Sequence, residues 1–409
     1  MNHTNTENEK ITKISKILFE YIGSNLNLQD FFSFGNINKH YRALFLRSNK
    51  WRTVDLSFLG SRGVDWKIYK LCDTLNNHYQ ENTANNHQSP MIESLNLNGL
   101  YRLTEKCLTY LNQCVMMDDI QSLSIQNCSN LQSLLNFFNH KPRHIKSLSL
   151  PTLSQKSAFD LKPHLSSLTS LTTPGSIDRN LFSNYLSSSP NLKKISLSFR
   201  SEDNLFYHNV LEKLCSMKHL THLYFFSMNI EDDDYRKMFL ALDQLSIVHI
   251  TNSFLLSGTT VNLLLDSCPQ LTDLCIRYCR RIQDINVLSK KLEKFNAGYT
   301  QTCADINFPN IVELSLSNWN LSNFDQTIAK IFSQPYPKLI HLDLTGTKIN
   351  DKSVTFIIEA CPNLQRIDLN GNVDVTDEIL PVIIKNCPNL YKVDFINTSS
   401  ALVLKHSNP

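Results

Sequence analysis

One short pattern recurs along most of this chain: three apolar residues in the order apolar-x-x-apolar-x-apolar. Its clear copies begin at Ile92, Ile120, Ile145, Leu192, Leu220, Leu245, Leu271, Ile311, Leu339, Leu364 and Leu390. Weaker copies begin at Leu168 and Leu292, and residues 51–56 form a possible first copy. From Ile92 onward, successive copies start 19 to 28 residues apart. A unit of this size cannot bury its own apolar face, so the chain must fold as a stack of similar units.

Each copy predicts a short strand, because alternate residues of a strand face the same way and the last two apolar residues then share one core. Between copies the apolar spacing becomes helical, as in residues 351–361 and 377–387. A period in the twenties with this phrase is typical of leucine-rich repeats. The sequence therefore predicts an α/β fold, a right-handed β–α solenoid or horseshoe with parallel strands on its concave face and helices outside.

Composition restricts the partners and the compartment. The formal net charge of +3 is too small to favour nucleic acid or an anionic membrane as the principal partner. No apolar run approaches the roughly 20 residues that span a bilayer, and the polar first ten residues do not resemble a secretory signal. The eleven cysteines are odd in number and sit mostly at repeat positions. We therefore expect reduced thiols and a cytoplasmic or nuclear location.

The spacing of apolar residues changes along the chain and predicts its domains. Residues 1–10 are polar and predicted to be disordered, and residues 11–51 read as a small all-α module of short helices. The solenoid is predicted over residues 52–398. Within it, residues 76–89 are polar and low in complexity, which predicts a flexible insertion. Residues 399–409 form a tail.

Two groups of residues resemble F-box proteins that contain leucine-rich repeats. Residues 268–271, 361–364 and 387–390 each read Cys-Pro-Gln/Asn-Leu, which is similar to the cysteine-containing repeats of that family. Residues 50–57, Lys-Trp-Arg-Thr-Val-Asp-Leu-Ser, resemble the closing part of an F-box. The opening part departs from the family pattern, since Thr12 stands where proline is usual.

This resemblance implies a non-enzymatic substrate-recognition subunit of an SCF-type cullin–RING ubiquitin ligase, without a cofactor. The F-box-like module of such a protein docks on an adaptor that binds the cullin, and the repeats hold a target protein, which the sequence does not identify. By resemblance, the candidate contacts to the adaptor are Ile11, Ile14, Leu18 and Leu28.

Two alternatives stay open at this stage. The chain could be a leucine-rich-repeat scaffold or inhibitor whose N-terminal helices only cap the solenoid, because the first repeat of any solenoid needs a cover. It could also be a GTPase-activating horseshoe, although no residue marks itself as the arginine that such an activity needs.

Aromatic and arginine residues on the predicted strands suggest where a target binds. Strand positions in the early repeats carry small neutral residues, whereas the middle repeats carry Tyr224, Phe226 and Arg277. Exposed aromatic residues and arginines are the usual anchors of protein interfaces. We therefore expect the target to bind there, unless a neighbouring loop covers these strand residues.

A row of aspartates occupies one strand position in three successive repeats: Asp343, Asp368 and Asp394. Parallel strands lie about 4.8 Å apart, so the three carboxylates form a predicted ladder. The ladder is a candidate contact for lysine or arginine of a target. The alternative is a structural role, with Arg366 and Lys392 close enough to neutralise the charge.

Three closely spaced cysteines raise the question of a metal site. Zinc needs four converging ligands, but Cys279 follows a repeat in the position where such repeats bury asparagine or cysteine, whereas Cys275 faces the opposite way. We therefore predict no metal here and interpret Cys268 and Cys279 as small buried residues. No histidine cluster or glycine-rich phosphate loop suggests catalysis.

Overall fold

The computed structural model describes residues 48–59, 64–84, 91–131, 134, 137, 144–150, 165–174, 179–198, 204–282, 285–300, 305–319, 324–395 and 404–405. Internal contacts divide the chain into two units, Met1–Leu192 and Lys193–Pro409. Of the module predicted over residues 11–51, only residues 48–51 fall within the described part. The predicted adaptor contacts Ile11, Ile14, Leu18 and Leu28 lie outside it.

The first unit contains parallel strands that follow one another in the sheet in chain order. They are β1 (Thr53–Asp55), β2 (Ser94–Asn96), β3 (Ser122–Ser124), β4 (Ser147–Ser149) and β5 (Ser170–Pro174). The helices are α1 (Val64–Ala84), α2 (Glu105–Gln113) and α3 (Arg179–Ser188). Single 3-10 turns occupy Asn49–Arg52, Ser57–Leu59 and Val115–Met117.

The second unit repeats the same β–α alternation. Its strands are β6 (Lys194–Ser198), β7 (His222–Phe226), β8 (Ile247–Thr251), β9 (Asp273–Cys275), β10 (Asn286–Leu288), β11 (Lys294–Asn296), β12 (Asp305–Asn307), β13 (Glu313–Ser315), β14 (His341–Asp343), β15 (Arg366–Asp368), β16 (Lys392–Asp394) and β17 (Leu404–Lys405). Its helices are α4 (Asn204–Ser216), α5 (Asp232–Ala241), α6 (Gly258–Ser267), α7 (Phe324–Ile331), α8 (Asp351–Ala360) and α9 (Leu380–Asn386). The main sheet runs β6–β7–β8–β9–β11–β13–β14–β15–β16–β17.

The apolar residues of the pattern stack in register across the strands. In the second unit Leu314 pairs with Leu342, which pairs with Ile367, which pairs with Val393, and all four side chains are buried. Burying one such side chain contributes about 1.5–3 kcal/mol, so the ladder of apolar residues is the core of the unit. The predicted α/β leucine-rich-repeat solenoid is confirmed.

The possible first copy of the pattern is a true repeat. Its strand β1 pairs in parallel with β2, so that Val54 lies beside Leu95. Trp51, Val54 and Leu56 are completely buried. The 3-10 turn that carries Trp51 leads into β1 without an intervening residue.

The prediction of a flexible insertion over residues 76–89 is wrong for its first part. Residues 76–84 form the end of α1 instead of a flexible segment. The Asn76 side chain donates a hydrogen bond to the Gln113 carbonyl and accepts one from the Val115 amide, both 2.9 Å long. The polar composition of this segment does not indicate the contact, which depends on one side chain: the Asn76 amide group satisfies two backbone groups of the next repeat. Residues 85–89 of the insertion lie outside the described part.

The predicted helix over residues 377–387 begins with a 3-10 turn, Asp377–Ile379, and only then becomes α9. Pro381 explains this start, since it has no amide proton to donate to the Asp377 carbonyl. Within the predicted tail, β17 pairs antiparallel with β16 and covers its edge.

Two neighbouring repeats have no room for a helix. The copies that begin at Leu271 and Leu292 are the shortest, with 21 and 19 residues before the next copy. Where other repeats form helices, these form β10 and β12, which pair with each other in parallel. A strand advances about twice as far per residue as a helix. These short repeats therefore span the same distance with fewer residues.

Aspartates at helix starts tie successive repeats together. The Asp351 carboxylate accepts hydrogen bonds from the Thr376 amide, at 2.8 Å, and from the Thr376 hydroxyl, at 2.5 Å. Asp232 binds Ser257 through the same pair of groups, and Asp65 binds Thr104 likewise. Each aspartate therefore completes the amino-terminal cap of the next repeat.

We predict that Asp351→Ala lowers the free energy of unfolding by about 2 kcal/mol, because two charge-assisted hydrogen bonds are lost. Asp374→Ala is the matched control, since Asp374 is exposed and the substitution should change stability by less than about 0.5 kcal/mol. Urea unfolding of both variants measures this, and equal stabilities would contradict the structural role of the aspartate.

Candidate functional site

The strands of the second unit present partly exposed residues on either side of the buried one, and we call this surface the strand face. A groove of about 480 Å³ runs over it across β8, β9, β11, β13, β14 and β15. Most of its polar lining is charged or titratable: His249, Asp273, Lys294, Glu313, His341, Asp343, Arg366 and Asp368. The strand face is therefore suited to polar contacts with another molecule.

Tyr224 is engaged by its neighbours on the strand face. Its ring meets that of His249 edge-on, with centroids 4.9 Å apart, and the Lys194 ammonium lies 5.0 Å from the ring centroid. His249 in turn contacts the Asp273 carboxylate through Nε2 at 3.0 Å. Burial raises the pKa of the Tyr224 hydroxyl, with Asp273 adding to the effect. Tyr224 is thus half-buried and held in place before any target binds.

Phe226 differs from Tyr224, because 37% of it is exposed at the end of β7. The sequence reasoning missed a second aromatic residue of this kind: Phe254, which is 47% exposed in the turn after β8. It lies outside the strand pattern, and for that reason the pattern did not indicate it.

The three aspartates of the predicted ladder are in register on β14, β15 and β16. Each has partners within the chain. Asp343 accepts from the Thr345 amide at 3.0 Å, and Asp368 accepts from the Asn370 amide at 3.2 Å. The ladder therefore helps to turn the chain at the strand ends, as short aspartate side chains commonly do.

Basic residues compensate part of this charge. Arg366 lies 3.4 Å from the Asp394 carboxylate and 3.8 Å from that of Asp368, and Lys392 lies 3.0 Å from Asp394. Burial raises the pKa of Asp368, and the neighbouring carboxylates Asp343 and Asp394 raise it further. The ladder thus has less free charge than three isolated aspartates.

In the second unit a left-handed backbone residue follows each main-sheet strand from β7 to β15, two positions after the last apolar residue of the pattern. These residues are Ser227, Asn252, Tyr278, Tyr299, Asn318, Gly346 and Gly371, with φ between 54° and 74°. Glycine and asparagine are common solutions, whereas a bulky residue costs roughly 1–2 kcal/mol there. Tyr278 and Tyr299 are the exceptions.

These two tyrosines lie side by side, because they occupy one position of neighbouring repeats. Their amides donate to the Gly298 and Ser317 carbonyls of the next strands. Their rings stack, with centroids 4.2 Å apart and planes 22° apart. The Arg277 guanidinium carbon lies 5.0 Å from the Tyr278 ring centroid and 5.3 Å from that of Tyr299. The structure therefore places Arg277 in an aromatic cluster that the sequence analysis did not find.

A buried residue three positions after the last apolar residue of the pattern donates a hydrogen bond to a backbone carbonyl of the preceding repeat. The Cys279 thiol donates to the Ile250 carbonyl, the Cys128 thiol to the Leu97 carbonyl, and the Trp319 ring nitrogen to the Ala297 carbonyl. The predicted burial of Cys268 and Cys279 is confirmed, and Cys128 is buried as well.

The cysteines do not converge on one point. Cys268 binds the Leu242 carbonyl, Cys279 binds another repeat, and Cys275 lies on the strand face. Among the residues that the structure describes, no three histidine, cysteine or acidic side chains gather as a metal site would require. Burial raises the pKa of the Cys268 and Cys279 thiols to about 12, so both are protonated and poorly nucleophilic at neutral pH.

No helix in the described part of the chain combines the length and apolar character needed to cross a bilayer.

Comparisons with known proteins add little about function. No protein-family model and no curated protein sequence matches the chain. Similar solved structures include the yeast Rad7 and Elc1 complex, with 14% identity, 92% of both chains covered and a TM-score of 0.41. LegL7 from Legionella pneumophila, a leucine-rich-repeat-containing protein, has 14% identity, covers 67% of this chain and 89% of its own, and gives a TM-score of 0.31. The leucine-rich-repeat domain of APL1B has 18% identity, 60% and 66% coverage, and a TM-score of 0.32. The assignment of the fold rests on the repeats of this chain.

We predict that Asp368→Asn changes how stability depends on pH. Because the folded protein raises the pKa of Asp368 above its ordinary 3.8, the folded state binds this proton more tightly than the unfolded state. Its contribution to stability is therefore full below pH 3.8 and is lost as pH rises through the folded pKa.

Urea midpoints of the wild type and the variant, measured from pH 3.5 upward, test this sign. The difference in stability, variant minus wild type, should increase as pH rises through that window. A difference that is constant or decreases would contradict the raised pKa.

Proposed function

We propose that the chain is a non-enzymatic substrate-recognition subunit of an SCF-type cullin–RING ubiquitin ligase, acting in the cytoplasm or nucleus. In this proposal residues 11–51 dock on the adaptor that binds the cullin, and Ile11, Ile14, Leu18 and Leu28 supply the apolar contacts. The repeats hold the target protein. The basis for the adaptor contacts is the F-box resemblance of residues 11–57.

The observation that carries the proposal is the junction at Trp51. This residue ends the predicted F-box-like module and is completely buried. Its 3-10 turn, Asn49–Arg52, is capped by the Ser48 hydroxyl and runs directly into β1. A receptor accelerates ubiquitin transfer by holding its target at a fixed distance and orientation. A junction without a linker supports such a role, because it leaves no free hinge at this point.

The strand face of the second unit is the proposed surface for the target. Phe226 is exposed there, Arg277 lies over two aromatic rings, and Tyr224 is held in place by its neighbours. Aromatic residues and arginine at the centre of an interface contribute most of its affinity. The aspartate ladder, Asp343, Asp368 and Asp394, is the proposed contact for basic residues of the target, with its charge partly compensated by Arg366 and Lys392.

A scaffold whose N-terminal segment only caps the solenoid is the second candidate. Within the described residues β1 pairs with β2 alone, so its other edge requires a cover. Residues that precede Ser48 could supply that cover, in which case their apolar side chains would not be available to an adaptor.

We predict that Leu18→Asp combined with Leu28→Asp abolishes binding of the purified chain to the recombinant adaptor–cullin complex, since buried charges in an apolar interface are strongly unfavourable. Size-exclusion chromatography and pull-down measure the association. Leu240→Asp is the matched control, because Leu240 is 64% exposed on α5 and far from residues 11–51 in sequence.

The two candidates give different results. If the wild-type chain does not bind the adaptor, the ligase proposal is wrong and the scaffold is favoured. If the double variant folds and still binds the adaptor, the assignment of these contacts is wrong.

A further inference from the structure

Arg277 and two stacked tyrosines lie at the end of the strand face formed by β9 and β11, and two further arginines follow in the turn after β9. We call Arg277, Tyr278, Arg280, Arg281 and Tyr299 the arginine–tyrosine platform. The two tyrosines belong to the two shortest repeats, and the three arginines lie within five residues of one another. Arg280 and Arg281 are exposed in the turn after β9, and Tyr278 and Tyr299 are partly exposed.

Stability of the turn does not explain the tyrosines. Both have φ of 61°, the left-handed region, and the other described repeats from β7 to β15 fill the position with serine, asparagine or glycine. A tyrosine in this conformation is strained relative to those residues. Strain that the surrounding structure maintains is frequent at binding sites.

The positive charge of the platform has no acidic partner in the described part of the chain. None of Arg277, Arg280 and Arg281 lies within 4.0 Å of a carboxylate there, whereas nearby Lys294 pairs with Glu313 and His249 pairs with Asp273. The Nε atom of Arg277 is buried and has no hydrogen-bond acceptor. The guanidinium is held against two rings, so it is fixed in place before a ligand arrives and loses little entropy on binding.

Register places an apolar anchor beside this charge. Phe226 pairs with Thr251, and Thr251 neighbours Arg277 by continuation of the pairing between His249 and Cys275. Phe226 and Arg277 are therefore two strand spacings apart, about 10 Å. An extended peptide can reach both when its acidic and apolar residues lie two or four positions apart, because such residues share one face.

We propose that the arginine–tyrosine platform binds an acidic segment of the target protein, with an aspartate or glutamate carboxylate on the Arg277 guanidinium and an apolar side chain against Phe226. The inference rests on the proposed function in one respect, namely that the chain has a protein target. The planar carboxylate matches the fork of the guanidinium and accepts two parallel hydrogen bonds.

Phosphate and nucleic acid fit the platform less well. The adjoining groove is lined by Asp273, Glu313, Asp343 and Asp368, which repel a doubly charged phosphate more strongly than a singly charged carboxylate. Bases bind single-strand proteins by stacking on free aromatic faces. Here each tyrosine already uses one face for the other ring, and the chain has a net charge of only +3.

The test measures fluorescence anisotropy of a fluorescein-labelled peptide, titrated with the purified full chain; the peptide repeats Glu-Ser-Phe-Ser, so that glutamate and phenylalanine share one face when it is extended. We expect Arg277→Lys to weaken binding at least about tenfold, because a lysine keeps the charge but cannot form the paired hydrogen bonds. Arg236→Lys, at an exposed arginine of α5, is the matched control and should bind as the wild type does. Replacing glutamate by glutamine in the peptide should weaken binding to a similar extent.

Tyr278→Asn and Tyr299→Asn place in each turn the residue that neighbouring repeats use, so these variants should fold. We expect them to weaken peptide binding as well, with circular dichroism confirming the fold. Unchanged binding by Arg277→Lys or by both tyrosine variants would overturn the proposal. So would equal affinity for the glutamine peptide, or an affinity for a phosphoserine peptide or a polyuridine oligonucleotide at least about tenfold higher.

The assay contains no adaptor, so its failure and the failure of the ligase proposal are separate results. A chain that binds the acidic peptide but not the adaptor keeps this inference and refutes the ligase role. A chain that binds the adaptor but not the peptide refutes this inference and keeps the ligase proposal.

Discussion

In-register pairing of parallel strands is the constraint on which the rest of this structure depends. Parallel strands lie about 4.8 Å apart, so residues at one position of the repeat become neighbours in space. The apolar ladder from Leu314 to Val393 forms the core in this way. The same geometry aligns the three aspartates on β14, β15 and β16 and stacks Tyr278 on Tyr299. A residue's neighbours are thus set by its position within the repeat.

This constraint also connects stability and recognition. The turn after each strand needs a left-handed residue, and most repeats of the second unit meet the need with serine, asparagine or glycine. Two tyrosines at this position are strained individually, but their stacking contributes about 0.5–1.5 kcal/mol, and the cation over them contributes about 0.5–1 kcal/mol more. The contacts offset much of the strain, and they leave an arginine fixed on the surface of two repeats.

The sequence predicts the repeats well because one apolar pattern determines both strand position and core. It places the first strand beside Trp51 and the buried turn position of Cys279 correctly. Prediction from the sequence fails where a contact between repeats determines the structure and the amino-acid composition does not indicate it. Polar residues 76–84 are helical because Asn76 docks on the following repeat, and the start of α9 depends on Pro381. The pairing of Tyr278 with Tyr299 requires knowledge of register across two short repeats, and the second of them carries one of the weaker copies of the pattern. The proposed adaptor contacts all precede Ser48, so they rest on sequence alone.

The most direct test of the account is a double-mutant cycle of Tyr278→Asn and Tyr299→Asn on the free energy of unfolding. If neighbouring repeats bring the two rings together as described, the single effects will not add, and the coupling energy will be about 0.5–1.5 kcal/mol. Additive effects, with a coupling energy near zero, would contradict the register from which both the core and the arginine–tyrosine platform follow.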